Sequence, residues 1–122
     1  MESIPISWTN LIELKESLIK DISNDLSGAF RLSYKHDNGN IYVFYVGQSE
    51  NLKSHLLSFF SENNSNFCVK EYIKTSECYF RYADIKEEHY RKAAERAMFK
   101  RYVPPCNKSI PDGRDDIEIN FS

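Results

Sequence analysis

The chain reads as a small α+β domain, a three-stranded, mainly antiparallel sheet flanked by helices. Three observations predict it. Asn38-Gly39 separates two strand-like runs, 29–34 and 41–46, and an Asn-Gly pair suits a tight hairpin because both residues tolerate positive φ. A third strand-like run, 78–83, returns only after a helical excursion. Apolar residues at three- and four-residue steps mark helices before, between and after these runs.

Trp8, Leu11, Leu14, Leu18, Ile19 and Ile22 keep helical spacing, so a helix is expected over 8–22, with Asn10 and Glu13 as a capping box. Ser23 to Gly28 reads as a loop. Ile41-Tyr42-Val43-Phe44-Tyr45-Val46 is β-branched and aromatic throughout, the composition of a central strand. Gly47-Gln48-Ser49 ends it, and Ser49 is a candidate cap for a helix carrying Leu52, Leu56, Phe59 and Phe60. A polar loop, 61–66, leads to a short helix over 67–73. The last helix, 86–102, stops at Pro104-Pro105. These elements make one domain of residues 1–122, with a helical extension to 27, a core of 28–107 and a loosely ordered acidic tail of 108–122.

The bulk numbers fit a folded domain. Hydrophobic residues are 41% and charged residues 28% of 122, enough for a core without staples. No apolar run reaches the ~18 residues of a membrane span, and no leader is evident, so a cytoplasmic location and no membrane partner are expected. Cys68, Cys78 and Cys106 lack metal or disulfide-framework spacing and are read as small buried hydrophobes or loop thiols. Net charge is −2, yet residues 50–108 carry eleven basic against eight acidic groups, with Arg91, Lys92, Arg96, Lys100, Arg101 and Lys108 around the single carboxylate Glu95. Such clustering sets the local field more than the total does.

Two segments carry chemistry. In Tyr45-Val46-Gly47-Gln48-Ser49-Glu50-Asn51-Leu52 a Tyr ends a strand, a Gly makes the sharp exit and a helix begins. Helix N–H groups at such a start favour anions. In Glu95-Arg96-Ala97-Met98-Phe99-Lys100-Arg101-Tyr102-Val103-Pro104-Pro105-Cys106-Asn107 a carboxylate flanks the apolar face of a helix and an amide follows twelve residues on. With Gly28-Ala29-Phe30 ahead of the hairpin, these pieces resemble the GIY-YIG endonucleases over residues 28–107. The family's second tripeptide looks like Tyr45-Val46-Gly47, and its Glu-to-Asn segment looks like Glu95 to Asn107.

The resemblance implies hydrolysis of DNA phosphodiester bonds with a single divalent ion, Mg²⁺ or Mn²⁺, held by Glu95. Tyr45 would position the attacking water and Asn107 would support the site. The sequence departs from the family twice: Phe30 stands where the first tyrosine is expected, and His55 where a helix arginine is expected. Phenylalanine has no hydroxyl, and histidine cannot form a bidentate fork. His55 is then the candidate base and phosphate ligand, with Lys53 and Arg91 as phosphate contacts. The substitutions keep a second reading open, a nuclease-like nucleic-acid-binding module without turnover, and a third, a protein-interaction domain. No attached DNA-binding domain is evident, so target choice would rest on the core, a homodimer or a partner chain.

Overall fold

A computed structural model describes residues 1–121. The elements run β1 (Glu2–Ser3), β2 (Ile12–Glu13), α1 (Glu16–Ile19), β3 (Gly28–Lys35), β4 (Ile41–Ser49), α2 (Leu52–Ser58), α3 (Phe67–Thr75), β5 (Cys78–Asp84), α4 (Glu88–Tyr102) and β6 (Ile117–Glu118). The main sheet has four strands in the order β2-β5-β3-β4, all pairs antiparallel. Three were expected; the fourth comes from the N-terminal segment. The helix expected over 8–22 forms only its last turn, because Trp8, Ile12 and Glu13 pair with Ala83, Phe80 and Tyr79 along the open edge of β5. An edge strand offers unpaired N–H and C=O groups, and that pairing overrides the helical spacing.

The hairpin turns where Asn-Gly predicts, with Gly39 at φ +87° and Asn38 Oδ1 accepting from Asn40 N–H at 2.9 Å. Between Leu32 and Ser33 the register with β4 shifts, leaving Phe44 as the extra residue. This bulge lets Phe44 and Tyr45 both reach the side where α2 and α3 pack, with Phe30, Leu32, Leu52, Leu56, Phe59 and Phe80. The other face carries Ala29, Val46 and Ala83, small enough for α4 to lie close with Ala94 and Met98. α4 ends in a left-handed Val103 (φ +45°), and Pro104 follows.

Two further expectations change. The acidic tail is docked: β6 pairs in parallel with β1, Asp115 bridges Arg96 and Lys100, and Asn120 O accepts from Trp8 Nε1–H. Cys68 and Cys106 form a disulfide across 38 residues, while Cys78 is free and buried. The start of α3 and the segment after α4 meet only through the tertiary fold, so spacing alone did not reveal the pair. No helix among the described residues is long and apolar enough to cross a membrane.

Candidate active site

The strand expected to end at Tyr45-Val46-Gly47 runs on to Ser49, because Gly47, Gln48 and Ser49 still pair with Phe30, Ala29 and Gly28. β4 thus holds Tyr45 at mid-strand, and α4 places Glu95 opposite. Tyr45, Glu95 and Asn107 line one cleft of about 330 Å³, together with Asn66, Cys106 and Lys108. Asn107 is held there by β4. Its Oδ1 accepts from Val46 N–H and its Nδ2–H donates to Val46 O, both at 2.9 Å. One amide thus satisfies both polar groups of a strand residue whose outer edge has no neighbouring strand. The Cys68–Cys106 bond fixes the preceding residue, so the loop is anchored twice.

Burial pushes the Glu95 carboxyl up to about 7, and the negative charge of Asp112 adds to this; Lys92 and the Gln48 backbone N–H act the other way. Burial, and then Glu95, also raise the Tyr45 phenol above its ordinary value, so Tyr45 keeps its proton at neutral pH. Glu95 makes no ion pair among the described residues. A partly desolvated carboxyl that no cation pairs with directly, on the wall of an open cleft, suits a hard divalent ion. Mg²⁺ takes one or two carboxylates and completes its shell with water and phosphate oxygens. No group of three or more His, Cys, Asp or Glu that could hold a metal gathers among the described residues, so Glu95 would be the principal protein ligand.

Neither Phe30 nor His55 is on the cleft lining; Phe30 packs on the Tyr45 ring, and His55 packs on Phe30. Phe30 is fully buried and packs against Tyr45 (ring centroids 6.1 Å), His55 (5.1 Å) and Phe59 (6.4 Å). Its ring covers Gly47 so closely that a Cβ there would sit 2.5 Å from Phe30 Cζ. Gly47, inside β4, is therefore required by close approach rather than by its φ. His55 also packs on Phe59 at 5.6 Å, and burial lowers its pKa. A neutral imidazole follows at pH 7, which removes the charge expected of a phosphate ligand.

The other two expected contacts are engaged within the fold. Arg91 was expected to face phosphate; it is buried, its Nε–H donating to Gln48 Oε1 at 3.1 Å and its Nη1–H to Lys86 O at 2.6 Å. Because the Gln48 N–H faces Glu95, Arg91 holds the strand exit against the carboxylate one helical turn further on. Lys53 Nζ–H donates to Asn24 Oδ1 at 2.9 Å. The start of α2 is also occupied. Asn51, not Ser49, is its cap, accepting from Ser54 N–H, and Leu52 N–H donates to Leu26 O. Two of the N–H groups expected to attract an anion are thus already bonded.

Sequence reasoning missed Gln48, Phe59 and Asn66, whereas Lys108 was among the basic residues expected around Glu95. Gln48 stood inside the quoted strand-exit segment, and Phe59 lies one helical turn after His55. Asn66 caps α3 by accepting from Val69 N–H, and nothing in the local sequence ties it to Glu95.

No family model matches the chain, and no curated protein matches it in sequence. Among solved structures it is similar to the GIY-YIG N-terminal endonuclease domain of UvrC from Thermotoga maritima. A tyrosine-to-phenylalanine point mutant of that domain, bound to its catalytic divalent cation, superposes with a TM-score of 0.58 at 18% identity, over 78% of this chain and 99% of that one. A second such mutant, at another tyrosine and also bound to the cation, gives 0.55 at 19% identity over the same shares. The chain therefore has a GIY-YIG endonuclease-like fold. At these identities the likeness is one of fold alone.

Proposed function

We propose that the chain is a metal-dependent endonuclease domain that hydrolyses DNA phosphodiester bonds with reduced turnover. The observation that carries the reading is the meeting of Tyr45, Glu95 and Asn107, from three distant parts of the chain, in one cleft of this fold. Glu95 would hold one Mg²⁺ or Mn²⁺, giving up the proton that burial favours. When bound, the ion supplies charge neutralisation at the scissile phosphate and the leaving oxygen. Tyr45, protonated at neutral pH, orients the attacking water by hydrogen bonding instead of removing its proton. Asn107 keeps β4 and the following loop in register with Glu95. Lys108, exposed at the cleft, attracts the phosphate backbone.

The neighbouring UvrC domain keeps its cation in two tyrosine-to-phenylalanine mutants. By that analogy, Phe30 is compatible with a bound metal while removing a hydroxyl from the water-activating shell. His55 without charge weakens phosphate stabilisation further, and losing one such group costs on the order of 10²–10³ in rate.

Supercoiled plasmid tests the reading. Slow nicking with Mg²⁺ or Mn²⁺ is expected, lost with chelator and lost at least ~10²-fold in Glu95→Ala. Nicking that survives Glu95→Ala refutes it. The desolvated His55 and fully buried Phe30 favour one second reading, a binding module without turnover. On that reading the wild type binds DNA in a salt-sensitive way without cutting. The double substitution Phe30→Tyr with His55→Arg then creates activity in an otherwise intact site.

A further inference from the structure

On the face of the sheet that carries α4, a second hollow of about 530 Å³ is lined by Arg31, Arg81, Arg101, Tyr102, Glu118 and Phe121. Arg31 on β3 and Arg81 on β5 are direct cross-strand partners, and Arg101 comes from the last turn of α4. Like charges opposite one another on neighbouring strands are unfavourable unless something compensates them. Among the described residues Glu118 is the single carboxylate lining the hollow, and none of the three arginines forms an ion pair.

Arg31 is only 4% exposed. Its guanidinium carbon lies 4.8 Å from the centre of Trp8 and 5.5 Å from that of Tyr102, and its Nη2–H donates to Phe121 O at 3.2 Å. Its Nη1 is buried and has no hydrogen-bond partner among the described residues. Buried donors are rarely left unmade, and an ionised one is the costliest to leave so. Arg81 uses Nε–H on Thr9 O, whereas Arg101 lies over the Phe121 ring at 5.2 Å. Burial first, and then the charges of Arg81 and Arg101, lower the Arg31 pKa, although Tyr102 opposes this. An anion seated among the three offsets the repulsion between their charges.

The geometry points to a phosphate-binding site formed by Arg31, Arg81 and Arg101, separate from the Glu95 cleft. Planar guanidinium forks match the oxygen spacing of a phosphate group, and the aromatic walls hold Arg31 in one orientation. The group is either a phosphate of a nucleic-acid backbone or a free phosphate; the three arginines recognise the chemistry they share. The site does not rest on catalysis at Glu95.

Trp8 is the single tryptophan of the chain and touches Arg31, so its emission reports on the site. The full chain is titrated with inorganic phosphate in the presence of chelator, following Trp8 fluorescence and the Arg31 Nε–H resonance. A saturable change in the millimolar range or below is expected. Arg101→Glu, at an exposed position, weakens it about tenfold or more, and Arg101→Lys much less. A DNA duplex that displaces phosphate, with a salt slope lowered by about one in Arg101→Glu, assigns the site to a nucleic-acid backbone. A duplex without effect assigns it to a free anion. No saturable response up to about 50 mM phosphate, or a response unchanged in folded Arg101→Glu, overturns the site.

Discussion

Replacing Glu95 by Gln removes one ionisation while keeping the shape of the side chain, and the consequence depends on pH with a definite sign. Burial raises the folded-state pKa from 4.5 to about 7. The folded state therefore holds the proton more tightly than the unfolded chain does. The stabilisation is complete below the unfolded value near 4.5 and is lost as pH rises through about 7. At about 1.36 kcal/mol per unit the full shift would amount to roughly 3 kcal/mol. Glu95 remains partly solvated, so screening reduces the term to about 1–2 kcal/mol.

Urea unfolding near pH 5 and near pH 8 measures this directly. The wild type should lose about 1–2 kcal/mol more than Glu95→Gln over that interval. Asp115, held down to about 2 by Arg96 and Lys100, changes stability only at lower pH and cancels in the comparison. At about pH 8 a divalent ion should restore stability to the wild type alone, by roughly 1.4 kcal/mol at ten times its dissociation constant. Parallel pH profiles for the two proteins would refute the desolvated carboxyl, and with it the physical case for a metal at this position.

Two other outcomes follow from the anchoring of the cleft. Asn107→Ala leaves Val46 N–H and O unpaired and should lower stability by about 1–3 kcal/mol in chemical denaturation, more than a typical exposed Asn→Ala change. Reducing the Cys68–Cys106 bond reopens a 38-residue loop in the unfolded chain. On the chain-entropy account this costs about 3–4 kcal/mol, and a Cys106→Ser variant should show the same loss with or without reductant. Equal stability of the oxidised and reduced wild type would contradict that account.

The parts of the fold that were legible in the sequence are those set by local chemistry. Asn38-Gly39 specified a hairpin because Gly39 adopts positive φ without strain, and Pro104 ended α4 because it cannot donate or continue the turn. In Tyr45-to-Leu52 the order strand then helix was legible from residue type, whereas the strand end and the cap were not, since pairing with β3 carries β4 on to Ser49 and Asn51 caps α2. What the tertiary structure alone decided involves partners far apart in the chain. The helical spacing of 8–22 gave way to the edge of β5, which adds the fourth strand, and the acidic tail is tied down by α4 and β1. The pairing of Cys68 with Cys106 and the burial of Arg91 also depend on such contacts. So does the desolvation of His55, expected as a base and phosphate ligand, which makes it a neutral ring packed on Phe30 and weakens the second of those roles. Periodicity states which face of a segment is apolar, whereas burial and charge depend on what that face meets once the chain has closed.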